Sequence, residues 1–107
     1  MKFEQFLQSL DDIGMTKCTC LSDYVKKFSY SGCNYVFITI WTNPRKCVIW
    51  ENLIILNGEI AVSEQDYHQY DIDSEGSVVI DKLKEIIKQY KQLKIELKKN
   101  ELNKDFV

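Results

Sequence analysis

The sequence predicts one α+β domain over residues 1–107: a short N-terminal helix, an antiparallel meander of three to four strands, and a long amphipathic C-terminal helix. Three observations predict it. Apolar residues near the start recur at helical spacing. The middle of the chain carries uncharged β-branched and aromatic runs separated by turn signals. From Ser77 a heptad pattern holds for nearly three repeats. The composition agrees. A chain of 107 residues with 45% hydrophobic and 12% aromatic residues suits one modest core, and no repeat or low-complexity linker divides it.

Phe3, Phe6, Leu7, Leu10 and Ile13 fall on one face of a helix over residues 2–13, and Gly14 is a natural stop. Residues 15–32 carry a mixed pattern. TKCTC suits an extended stretch, SDYVKKF suits a short helix capped by Ser22 or an irregular strand, and Ser31-Gly32 suits a turn. A strand follows from Cys33 to Thr42, with Tyr35, Phe37 and Trp41 on one face and Val36, Ile38 and Ile40 on the other. Asn43-Pro44-Arg45-Lys46 reads as a turn. A two-residue Pro44-Arg45 loop sets Trp41 opposite Val48 and Thr39 opposite Trp50, four neighbours on one face.

The chain returns as a strand over 47–56. Asn57-Gly58 is a strong hairpin signal, because both residues tolerate positive φ. It pairs Ile55 with Ile60 and Leu56 with Glu59, and residues 59–63 form the last strand of the meander. Residues 64–76 are polar, acidic and aperiodic, and read as the longest loop. Ser77 then caps a helix over about 77–99, roughly 30 Å long, with a frayed tail over 100–107. Its seam is Val79, Leu83, Ile86, Tyr90, Leu93 and Leu97. Two apolar sheet faces and this seam lead to the expectation of a homodimer or higher oligomer.

The N-terminus lacks a continuous apolar segment, because Glu4, Gln5 and Gln8 interrupt it, and no apolar stretch approaches 18 residues. A cytoplasmic protein without membrane contact is expected. Cys18, Cys20, Cys33 and Cys47 then read as free thiols. Their only close pair is Cys18-Thr19-Cys20, which lacks the spacing of zinc ligands, so no structural metal is expected.

Charge is uneven. Residues 1–76 hold 6 basic and 11 acidic residues, and residues 77–107 hold 8 basic and 5 acidic. The net charge of −2 argues against a general nucleic-acid binder. The basic helix has no Arg to fork onto phosphates and reads as a solvated lysine face. The acidic loop offers the residues Glu64, Asp66, Tyr67, Tyr70, Asp71, Asp73 and Glu75 as a binding surface for a basic partner. Asp71-Ile72-Asp73-Ser74-Glu75-Gly76 resembles the first half of an EF-hand calcium loop. It departs from that loop in the long Glu75 at the fifth position and in Lys82 at the twelfth, where a bidentate Glu is needed. Helix-dipole stabilisation by these acids is the simpler reading.

No catalytic residue is assigned. The chain has no nucleophile elbow, phosphate-binding loop, dinucleotide fingerprint or metalloprotease motif, and its one histidine, His68, has no nucleophile beside it in sequence. No cofactor is expected. The functional expectation is a small non-enzymatic binding protein acting through protein–protein contact. One form of it is a phage or mobile-element inhibitor of a host nucleic-acid-handling or defence protein. The alternatives are an oligomeric protein binding a nucleotide or other small ligand, and a small enzyme using His68.

Overall fold

The structure is a computed structural model that describes residues 2–18, 24–30, 35–43 and 45–105, the stretch 100–105 by its backbone alone. Its elements are α1 (Phe3–Asp12), β1 (Met15–Lys17), β2 (Val25–Tyr30), β3 (Ile38–Thr42), β4 (Arg45–Trp50), β5 (Leu53–Leu56), β6 (Glu59–Val62), β7 (Tyr67–Asp71) and α2 (Ile72–Asp105). Five strands form one antiparallel sheet in the order β1-β2-β3-β4-β7, and β5 and β6 form a separate ribbon. The α+β class and both helices agree with the sequence reading.

The strand register sorts the side chains into two faces. Phe28, Ile38 and Ile49 pair across one row, and Lys26, Ile40, Cys47 and Tyr70 across another on the same side. Both helices cover that side. Tyr90 of α2 meets Phe37 and Tyr30 edge-on, and Arg45 lies 5.4 Å from the Phe3 ring of α1. The core there is Phe6 and Leu10 from α1, Ile38, Ile40, Cys47 and Ile49 from the sheet, and Ile72, Val79, Leu83 and Ile86 from α2. Burying this apolar surface supplies the main folding drive. No helix among the described residues lies on the other side, which carries Val25, Lys27, Thr39, Trp41, Val48, Trp50 and Tyr67.

Several boundaries differ from the sequence reading. Residues 15–30 supply two strands, and SDYVKKF resolves as a strand from Val25; Ser22 and the Ser31-Gly32 turn lie outside the described residues. Regular pairing in β3 begins only at Ile38. The Phe37 N–H donates to the Phe28 carbonyl while Phe28 also pairs with Ile38, the two-against-one pattern of a bulge. Phe37 thereby turns into the core instead of sharing a face with Trp41. At the next turn Thr42 pairs with Arg45, so Trp41 meets Lys46 and Thr39 meets Val48. The loop sits one residue earlier than expected. The shift is two in pairing sum, so the face assignment of all four residues survives.

The predicted strand 47–56 is broken. Its first half is β4, and after Glu51-Asn52 the chain leaves the sheet as β5. The Asn57-Gly58 turn has both residues at positive φ, 52° and 79°, and pairs Ile55 with Ile60 and Leu56 with Glu59 as the sequence predicts. The ribbon does not extend the meander. The second neighbour of β4 is β7 instead.

The predicted loop 64–76 is thus a turn, an edge strand and the first turn of α2. Asp71, not Ser77, is the cap: its Oδ1 accepts the N–H of Asp73 at 2.9 Å and of Ser74 at 3.4 Å. Glu75, four residues on, accepts the Asp71 N–H at 3.2 Å in return. At its far end the backbone of α2 stays helical to Asp105, where the apolar pattern predicts fraying from residue 100. The helix of 34 residues spans about 51 Å, close to the 54 Å long axis of the molecule. Its last turns therefore project past the sheet.

Candidate functional site

Two regions of the described surface carry more than packing. The first is the helix-free side of the sheet together with the β5–β6 ribbon. Trp41 is 37% and Tyr67 is 58% exposed. Trp50, half-buried, pairs with Tyr67 across β4 and β7. A groove of about 380 Å³ opens among Lys27, Val36, Thr39, Trp50, Val62 and Glu64. A second, of about 400 Å³, shares Val62 and Glu64 and runs along the ribbon past Tyr35, Ile54 and Leu56. On the ribbon Leu53, Ala61 and Val62 are buried, whereas Ile54, Ile55 and Leu56 are exposed. Alternation alone would expose half of them. Three consecutive exposed aliphatics next to a groove form a patch that soluble surfaces seldom leave without use.

The second region is a polar hub at the break between β4 and β5. Tyr70 donates its hydroxyl to Glu51 Oε1 at 2.5 Å, and Lys82 Nζ lies 3.4 Å from the same oxygen. His68 Nδ1 lies 3.3 Å from Oε2. Gln89 donates to the Glu51 carbonyl at 3.2 Å and accepts the Leu53 N–H at 3.4 Å. The Tyr70 hydrogen bond, with Lys82 and His68 adding to it, holds the Glu51 carboxyl below its ordinary value against the opposing effect of burial. Burial and the bond to Glu51 push Tyr70 up to about 12. A cleft of about 210 Å³ adjoins the hub, lined by Glu51, Asn52, Lys82, Glu85, Ile86 and Gln89.

The hub places a carboxylate, Glu51, 3.3 Å from one imidazole nitrogen of His68. Among the described residues it supplies no nucleophile. The Cys47 thiol is buried, and desolvation, with Glu75 and Asp71 nearby, pushes it up to about 12, far from a reactive thiolate. The cleft lining sets one lysine against two carboxylates and, among the described residues, has no aromatic side chain, so it offers neither the net positive charge nor the stacking surface that a nucleotide would use.

The seven residues of the predicted acidic surface do not form one patch. Glu64 and Asp66 sit by the ribbon at one end of β7. Asp71, Asp73 and Glu75 sit at its other end, on the first turn of α2, with Arg45 3.7 Å from Asp73. Tyr67 faces the helix-free side, and Tyr70 points the opposite way into the hub. The six residues of EF-hand-like spacing are an N-cap and a helical turn, which takes the Asp71 carboxylate for backbone N–H groups. Of the helix seam, Val79, Leu83, Ile86 and Tyr90 are buried against the chain's own sheet and α1, and Leu93 and Leu97 are half-buried. Cys47 is a free thiol and Cys18 is half-buried at the end of β1; Cys20 and Cys33 lie outside the described residues.

Sequence reasoning missed the hub, because Glu51 stands in what reads as the middle of one strand. The signal available was Glu51-Asn52 itself, a polar pair interrupting a ten-residue apolar run. Among the described residues no group of three His, Cys, Asp or Glu side chains is placed to hold a metal ion, and no helix is long and apolar enough to cross a membrane. Set against protein-family models, curated proteins and solved structures, the chain matches none.

Proposed function

We propose that this chain is a small non-enzymatic binding protein that works through protein–protein contact, and that the contact is made by the β5–β6 ribbon and the helix-free side of the sheet. The observation that carries this reading is the row Ile54, Ile55 and Leu56, exposed beside the adjoining grooves of about 380 and 400 Å³. Trp41 and Tyr67, on the same side of the sheet, supply the large rigid side chains that dominate contact energies. The rim is acidic. Glu59, Glu64 and Asp66 are exposed around the ribbon; among the described residues Lys27 is the one cation in the two groove linings, and Lys46 stands farther off beside Trp41. The partner chemistry that fits is an apolar segment flanked by Lys or Arg, as on a protein that handles nucleic acid.

A photo-reactive residue at Ile55 tests this. It should cross-link a discrete partner from native lysate, and the same probe at Lys88, on the exposed face of α2, should not. Ile55→Asp with Leu56→Asp should abolish capture and leave the melting temperature within a few degrees, because both side chains are exposed. Equal capture from both probe positions, or capture undiminished by the two Asp residues, would remove the ribbon from the interface.

A further inference from the structure

The two edges of the five-stranded sheet are unlike. The β1 edge is three residues long and carries exposed Lys17, a short, charged edge of the kind that discourages pairing. The β7 edge is Tyr67-His68-Gln69-Tyr70-Asp71. It contains no Lys, Pro or Gly, it pairs with β4 in unbroken register, and four of its five residues are exposed. Among the described residues no strand lies beyond it. We propose that this edge pairs with β7 of a second copy of the chain. The result is a twofold dimer with a continuous ten-stranded sheet.

Antiparallel pairing of a strand with its own copy closes on a twofold axis along the sheet normal. Residues directly opposite must then share a face, so the register is centred on a residue and not between two. Centring on Gln69 sets Gln69 opposite its copy, His68 opposite Tyr70, and Tyr67 opposite Asp71, whose N–H stays with Glu75. No like charges come opposite one another. Centring on His68 sets two imidazoles together, and centring on Tyr70 leaves Tyr67 and His68 outside the pairing.

The same axis brings the two α2 helices side by side on one face, because β7 turns directly into α2 at Asp71-Ile72. Val78, Lys82, Glu85 and Gln89 recur at spacings of four, three and four on one flank of α2. That flank looks toward β7 and the β4–β5 break, since Lys82 and Gln89 reach Glu51 and Lys82 lies 5.9 Å from the Tyr70 ring. Val78 on this flank is 46% exposed, an apolar side chain left out of the chain's own core. The two residues from Gln69 to Asp71 span roughly 7 Å of strand, about one turn and a third of returning helix. Val78 therefore lies close to the level of the axis. The antiparallel helix pair sets Val78 against its copy and Lys82 against the acidic first turn of the second copy, where Glu75 lies. The edge, the exposed valine and the charge order all accept a second copy. The dimer leaves both ribbons and both helix-free faces open, so it is independent of the reading above.

Two measurements test it together. Sedimentation of the wild type should give twice the chain mass at micromolar concentration. Gln69→Lys, which sets two ammonium groups across the axis, and Val78→Asp should each raise the dimer dissociation constant at least tenfold with unchanged circular dichroism. Under mild oxidation Gln69→Cys should form a covalent dimer well above the wild-type background, because its copy lies within disulfide reach. Tyr67→Cys should not, since its copy is roughly 14 Å along the strand. A wild type that stays monomeric to millimolar concentration overturns the proposal. So does a Gln69→Cys variant that cross-links no better than Tyr67→Cys, whatever the other variants do.

Discussion

Tyr70 of β7 donates its hydroxyl to Glu51 at the end of β4, 2.5 Å away, and the bond spans the point where the sheet stops and the ribbon begins. The Glu51 carboxylate there gathers Tyr70 and His68 from β7 and Lys82 from α2, and the Glu51 carbonyl accepts a hydrogen bond from Gln89 of α2. The hub is a joint. It fixes where β5 departs and so where the exposed ribbon points.

Tyr70→Phe removes one hydrogen bond to a charged group and should cost about 1.5–3 kcal/mol at neutral pH. The sign of its pH dependence follows from Glu51. A carboxyl held below its ordinary value stabilises the fold above that ordinary value, and the contribution is lost as pH falls through the lowered one. The gap between wild type and variant should therefore shrink from pH 7 toward pH 3. Urea melts at the two pH values check it. A gap of equal size at both would mean that Tyr70 acts through packing alone.

Much of this architecture was legible in local chemistry. The Asn57-Gly58 turn set the ribbon register, and β-branched density marked β3 and β4. Period-two alternation put Thr39, Trp41, Val48 and Trp50 on one face even with the turn misplaced by one residue. What stayed hidden has physical reasons. As an edge strand β7 buries little on either side, so Tyr-His-Gln-Tyr-Asp shows no alternation and reads as a loop. Glu51-Asn52 breaks a strand only because Tyr70, Lys82 and Gln89 reach it from distant sequence. The start of α2 is obscured in the sequence because Ser77 follows Gly76 and imitates a cap, while Asp71, the true cap, stands among other acids.

Asp71 gives that last point a test. Its side chain takes two N–H groups at the start of α2, so Asp71→Ala should cost about 1 kcal/mol, and Asp71→Asn, which keeps an acceptor, should cost less. Calcium at millimolar concentration should leave the wild-type melting temperature unchanged, because the carboxylate is turned to the backbone. A rise that Asp71→Ala abolishes would instead establish a cation site at this turn.

Cys47 and Tyr70 share one row of the sheet, and both are pushed up to about 12. For acids that ionise to anions, a raised folded value stabilises the fold below the unfolded value, about 9 for Cys and 10 for Tyr, and the contribution is lost as pH climbs toward 12. Stability should therefore fall steadily between pH 9 and 12. Cys47→Ala should flatten that fall while costing about 1 kcal/mol at pH 7 for the lost packing. Thiol reagent should label Cys47 only at the rate of unfolding. Rapid labelling of the native protein at pH 8 would contradict its burial.

The helix seam separates into a part the fold uses and a part it does not. Leu83 is fully buried between the sheet and α1, where truncation leaves a cavity that surrounding side chains cannot close, so Leu83→Ala should cost about 2–5 kcal/mol. Leu97 has the same place in the heptad but sits where α2 has begun to leave the body, half-buried, with Ile95 half-exposed beside it. Leu97→Ala should cost under 1 kcal/mol in the monomer, because the site is open enough for water to fill what the side chain leaves. Denaturant melts at low protein concentration measure both. The same pair repeated at high concentration asks what the projecting helix does. A Leu97→Ala cost that grows with protein concentration would place the end of α2 in an interface between chains, whereas a cost independent of concentration confines the seam to the core of one chain.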